Sequence, residues 1–230
     1  MIPISDDNPS RMTPLVTWIL IGASVLVFFW QIGTSEEAYE ASVYTYGFVP
    51  VSLFGGAPSP GPYWPWITIL TSMFLHGGFA HLGGNMLYLW IFGNNIEDAM
   101  GHARFLAFYL LSGAGAALSE GLIYPGSEIP MIGASGAISG VLAAYLLIFP
   151  RARITVIVPL GVLPYTMKIS ALFVIGFWFL IQLLQAGMSD PNDPGVAWWA
   201  HVGGFAAGLA LTPLFSRYPL FGRLRRGPWG

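Results

Sequence analysis

The sequence predicts an all-α membrane protein: a bundle of six transmembrane helices with both ends of the chain on the inner side. Three observations carry that prediction. Of 230 residues, 55% are apolar and 9% charged, and the apolar residues fall in repeated long blocks that one soluble core of this size could not hide. Six blocks approach the roughly 20 apolar residues that a helix needs to cross a bilayer, at about 14–33, 80–97, 103–123, 133–149, 168–187 and 197–215. The basic residues then sort by side. With the N-terminus inside, six spans put Arg11, Arg104, Arg151, Arg153, Lys168, Arg217, Arg223, Arg225 and Arg226 on the inner side, which is all nine Lys and Arg. The outer side collects Glu36, Glu37, Glu40, Glu120, Glu128, Asp190 and Asp193 and no basic residue.

Taken in order, residues 1–13 read as a cytoplasmic segment, 14–215 as the membrane domain and 216–230 as a basic cytoplasmic tail. The opening "MIPISDDNPSRMTP" lacks a basic region leading into a short apolar core with a cleavage site, so the first span reads as an uncleaved anchor. The outer segment from about 34 to 79, with "GGAPSPGPYWPW", suits a partly ordered structure resting among lipid headgroups, where Trp and Tyr prefer to sit. "RITVIVPLGVLPY", 153–165, is apolar but short and interrupted by Pro159 and Pro164, and reads as a re-entrant or surface segment on the inner side. Absent cysteine excludes disulfides, a thiolate nucleophile and a thiol metal site. A net charge of −2 gives no reason to expect a nucleic-acid partner. Oligomeric state is not legible.

Polar residues converge near the outer ends of three inward-running spans. Span four opens on "GASG" with Ser135, span six on "WWAHVGG" with His201, and span two carries His81 and Asn85 one turn apart on one face. At 100° per residue, Ser135, Gly136, Ser139, Gly140 and Ala143 fall within an arc of about 140°, a face with almost no side-chain bulk. His201 shares a stripe with Gly204 and Gly208, a GxxxG pair of the kind that brings membrane helices together. If those faces meet, Ser135 and His201 come within reach of each other.

Taken alone, Ser135 is a small packing residue bonded to its own helix, and Ser139 is the same. Intramembrane His and Asn are costly and tend to mark function, which weakens that reading for the group. His76, His81 and His201 do not make a convincing zinc site: a spacing of five puts His76 and His81 on different faces of a helix, and no carboxylate lies obviously at their depth. No metal or cofactor is expected. Asp98 and Glu97 lie at the inner end of span two, about 25 Å below, too far to complete a Ser-His-Asp triad; Glu120 is near enough in depth to stay open. The G-x-S-x-G elbow fails because position 137 is Ala. His102, at the inner edge of span three, is expected to face solvent.

What remains is a dyad, serine activated by neutral histidine. Asn85, His81 and the N–H groups opening span four are candidate oxyanion donors, and Gly133 and Gly136 admit a close backbone.

These residues resemble the rhomboid family of intramembrane serine proteases over roughly 60–212. "GASG" matches the nucleophile motif at Ser135, "AHVGGFAAG" the sixth-span motif at His201, and "HGGFAHLGGN" the second-span motif at His76, His81 and Asn85; "NNIEDAMG" resembles the inner-end segment at Glu97 and Gly101. The resemblance implies a six-span bundle, Ser135 as nucleophile, His201 as base, oxyanion donors at His81, Asn85 and the Ser135 N–H, and membrane-anchored substrates cut in or near a transmembrane segment. It is expected in a prokaryotic plasma membrane with its site opening away from the cytoplasm. Two features depart from the family. Its outer-loop Trp-Arg reads Trp66-Ile67, and the position four after the nucleophile, aromatic in some members, is Ser139, so something else must orient His201. An inert rhomboid-like binding protein would be expected to lack the dyad. A transporter or channel would show interrupted helices in matching halves or a charged midplane path, and neither is visible.

Overall fold

The computed structural model describes residues 1–33, 35–160, 163–190 and 195–221. Expectations about Asp193 and about Arg223, Arg225 and Arg226 of the tail fall outside them. Six long helices dominate: α1 (Leu15–Ile32), α5 (Phe79–Met100), α6 (His102–Ile123), α7 (Ser135–Ile148), α8 (Ala171–Ala186) and α9 (Trp198–Phe215). By length and composition, α1 and α6 qualify as membrane-crossing helices, and α7 and α8 are shorter apolar helices. Near-continuous apolar sequence makes α7 the central element, buried without a break from Gly136 to Tyr145. Helices α5, α6, α8 and α9 surround it. The largest buried side chains, among them Phe92, Phe105, Phe108, Tyr109 and Tyr145, pack at this centre.

Helix ends are tied by side chains from other elements. Glu97, fully buried near the end of α5, accepts from the N–H groups of Val16 and Thr17 at 2.9 and 2.8 Å and from the Thr17 hydroxyl at 2.7 Å. It thereby caps α1, whose own N-cap residue Pro14 offers no side-chain acceptor. His102 Nδ1 lies 2.5 Å from the same carboxylate, so this histidine, although partly exposed, is bound to Glu97 and does not simply face solvent.

The segment between α1 and α5 folds into three short helices, α2 (Glu36–Tyr46), α3 (Pro50–Phe54) and α4 (Pro65–Thr71), followed by a 3₁₀ turn over Ser72–Phe74. Phe48 and Met131 exchange backbone bonds of 3.0 and 2.8 Å, and Thr71 Oγ1 donates to the Tyr46 carbonyl at 2.6 Å, which fixes this layer over the bundle. Trp64 and Trp66 remain exposed on it.

The all-α expectation needs one correction. Of the two readings of the apolar segment that starts at Arg153, re-entrant or surface, the re-entrant one fails: β2 (Arg153–Leu160) and β3 (Leu163–Ser170) pair antiparallel, and β1 (Ile2–Asp6) joins β2 on its other edge. An unbroken β-branched run from Ile154 to Val158 explains it, and burial alternates along it: Ile154 and Val156 are buried while Arg153 is exposed. Pro159 and Pro164 pair with each other beyond the reach of β1, where a missing N–H breaks no ladder on that side. The N-terminal segment is accordingly a strand.

Candidate active site

Ser135 is the first residue of α7, and a glycine prepares its position. Gly133 has φ +119°, a backbone state that side chains other than glycine's rarely adopt, and its N–H donates to the Ser72 carbonyl at 2.8 Å. The chain thus turns sharply into the helix, leaving the Ser135 N–H in a first turn without intrahelical acceptors.

His201 sits in the first turn of α9, and Glu120 of α6 holds that turn by accepting from the Ala200 N–H at 2.9 Å. Helices α7 and α9 touch through their glycines. A Cβ at Gly204 would overlap the Gly136 carbonyl, and one at Gly208 would overlap Gly140. That backbone contact brings Ser135 Oγ to 2.8 Å from His201 Nε2.

The other imidazole nitrogen identifies a residue that the sequence reading missed. His201 Nδ1 lies 2.7 Å from Oε1 of Gln182, a buried residue of α8, and the Gln182 amide nitrogen donates to the Trp178 carbonyl at 3.0 Å. Trp178 and Trp198 flank the imidazole, with ring centroids 6.0 and 5.9 Å away. These three residues, and not Ser139, are the ones that meet the imidazole. Ser139 itself donates to the Ser135 carbonyl at 2.7 Å, a local helix bond. The one sequence signal for Gln182 was an amide in the middle of an apolar helix.

Opposite Ser135 stand His81 and Asn85 on α5. A Cβ placed on Gly133 would come 2.7 Å from His81 Nε2 and 3.7 Å from Asn85 Nδ2, so both nitrogens border the space beside the start of α7. His81 Nδ1 accepts from the Gly77 N–H at 3.2 Å, which leaves the ring proton on Nε2, facing Gly133. Asn85 Nδ2 is buried with no hydrogen-bond partner. An unmatched buried donor is costly, and this one belongs to a residue that borders the same cavity as Ser135 and His81.

His76 does not share a helix with His81. It precedes α5, with its N–H on Gln31 Oε1 at 3.1 Å and Nδ1 on the Phe74 carbonyl at 3.2 Å, and its ring meets the His81 ring edge-on at 5.2 Å. Burial, with His81 close by, pushes its pKa down to about 4, so it is neutral and shapes the loop. Among the described residues, no three His, Asp or Glu gather as a metal site. Ser135, His201, His81, Asn85 and Gly133 line a cavity of about 1150 Å³, and Glu120 also borders it.

A serine hydroxyl on an imidazole nitrogen, in one cavity with an unpartnered amide N–H, has the parts that acyl transfer needs. The Rhomboid domain is matched by residues 63–218. The chain belongs to the rhomboid family, whose members are integral membrane proteins. It is 34% identical over 154 residues to RHOMBOID-like protein 5 of Arabidopsis thaliana, an overlap of 67% of this chain and 45% of that protein. It is 33% identical over 133 residues to Rhomboid protease GluP of Bacillus subtilis, 58% of this chain and 24% of the other. Over 221 residues it is 27% identical to Rhomboid protease AarA of Providencia stuartii, 89% of this chain and 73% of that one. Of three curated relatives from Arabidopsis and Saccharomyces, the chain spans 45%, 54% and 28%, about half their length or less.

Proposed function

We propose that this protein is an intramembrane serine endopeptidase that hydrolyses peptide bonds in or near the transmembrane segments of membrane-anchored proteins, with Ser135 as nucleophile and His201 as general base. The observation that carries the reading is the 2.8 Å approach of Ser135 Oγ to a His201 nitrogen whose ring partner is already bonded. Ser135 Oγ attacks the scissile carbonyl carbon as its proton passes to His201 Nε2. Charge gathers on the carbonyl oxygen, which His81 Nε2–H, Asn85 Nδ2–H and the Ser135 N–H receive. The C–N bond breaks, the proton moves from His201 to the departing amine, and a water deprotonated by His201 releases the acyl group from Ser135. Side chains, backbone and water account for every step.

The six long helices are six spans, with the N-terminus and the end of α9 inside, in a prokaryotic plasma membrane. Pairing of β1 with β2 supports an even number of crossings between residues 6 and 153, which α1, α5, α6 and α7 supply. Helix α7, at 14 residues, is only about 21 Å long against a hydrocarbon layer of about 30 Å. Ser135 therefore lies below the outer surface, under a cavity that admits water and a substrate segment. Purified protein in liposomes should cleave a transmembrane substrate, and Ser135→Ala should not; equal cleavage by the two would overturn the assignment.

A further inference from the structure

We infer that Gln182 is a positioning residue for the Ser135–His201 pair, fixing His201 in the one tautomer that can take the serine proton; the inference rests on the proteolytic reading above. The argument runs through atoms that can play only one role. The Trp178 carbonyl can only accept, so the group facing it at 3.0 Å is the Gln182 NH₂. The amide is thereby oriented, and its oxygen is the atom that meets His201 Nδ1 at 2.7 Å. That oxygen can also only accept. Nδ1 must therefore carry the ring proton, and Nε2 presents its lone pair to the Ser135 hydroxyl at 2.8 Å.

Anchoring the amide is what makes a neutral residue adequate here. When an amide stands free in the third position of a serine triad, it can turn its NH₂ toward the imidazole and impose the wrong tautomer, at a cost of about 10⁴ in turnover. Here the helix's own carbonyl, four residues earlier, prevents that rotation. Trp178 and Trp198 restrict the ring plane, but an indole has no acceptor for the Nδ1 proton. A neutral amide also avoids burying a carboxylate among apolar side chains, which is far more costly.

The test compares Gln182→Met, which keeps the bulk and removes the acceptor, with Gln182→Glu, which keeps an acceptor at the same reach. Turnover is normalised to Ser135 labelled by a fluorophosphonate, and the imidazole nitrogens of His201 are followed by ¹⁵N NMR. Gln182→Met should lower kcat by about 10² or more with little change in KM, because general-base catalysis is worth about 10²–10⁴. The Nδ1–H signature of His201 should be lost in Gln182→Met, and Gln182→Glu should recover most of kcat. An Nδ1–H signature that persists in Gln182→Met, or equal loss of kcat in both variants, would overturn the role. Failure of the proteolytic reading is a separate result, wild-type cleavage no greater than that of Ser135→Ala, and the NMR comparison still decides the tautomer in that case.

Discussion

The backbone of Gly204 lies directly against the carbonyl of Gly136, with no space for a side chain between them. His201 stands three residues before one of these glycines and Ser135 one residue before the other. The separation of the two polar groups is thus set by the closest approach of two helix backbones, a geometry available only to small residues.

Gly204→Ala should therefore damage catalysis. Its methyl would meet backbone, which cannot rotate away, and the helices must part. A displacement of about 1 Å at a reacting pair can cost about 10²-fold in rate. Turnover per labelled Ser135 should fall by about that factor, together with a lower Tm. Gly22→Ala in α1, where nothing lies within 4 Å of the added methyl, is the control and should leave turnover unchanged and Tm equal or higher.

Asn85→Ala tests the donor cluster. Turnover should fall by up to about 10²–10³-fold, the range for loss of one oxyanion donor, with KM changed much less because the charge develops in the transition state. Stability should hold or rise slightly, since the removed Nδ2 is buried and unpartnered. A variant that melts early yet turns over normally would make Asn85 a packing residue and leave His81 and the Ser135 N–H as the donors.

Much of this arrangement was legible because membrane sequence is constrained. Long apolar blocks located the six helices to within a few residues: α9 runs Trp198–Phe215 against an expected 197–215. The small faces of α7 and α9 had no plausible use except close packing. Gln182 was not legible, because α8 carries two amides, Gln182 and Gln185, and neither gives a direction until the rotation of the helix about its axis is known. Nor was the sheet. Its core-facing residues Ile154 and Val156 sit within an apolar run, where a strand and a broken hydrophobic segment look alike, and its partner β1 comes from the other end of the chain. The spacing of His76 and His81 misled because it assumed one helix through both, whereas α5 starts at Phe79.

The proposed six-span topology makes a prediction that the cysteine-free sequence makes clean. Ser5→Cys and Thr166→Cys, both exposed and on the sheet, should react with a membrane-impermeant maleimide only after the inner face is opened. Glu37→Cys, exposed at the start of α2, should react in sealed cells. Labelling of all three from one side would overturn both the span count and the depth of Ser135.

The last prediction concerns the sheet and its pH response. Asp6, in β1, accepts from the Tyr145 hydroxyl at 2.5 Å, yet burial outweighs that bond and, with Asp7 adding like charge, raises its pKa from 3.8 to about 6. The folded state therefore holds the Asp6 proton more tightly than the unfolded chain does. The stability this supplies is fully present below pH 4 and is lost as pH rises through about 6. Asp6→Asn keeps an acceptor for Tyr145 and removes the titration. Thermal unfolding in detergent at pH 4, 5, 6 and 7 should show the Tm of wild type falling relative to Asp6→Asn across that window, and the difference levelling off above it. His76, whose depressed pKa acts in the opposite direction, is present in both proteins and cancels in the difference. Parallel Tm curves for the two proteins would mean that the Asp6 carboxyl ionises as freely in the folded protein as in water, and the sheet would then have no pH-dependent hold on α7.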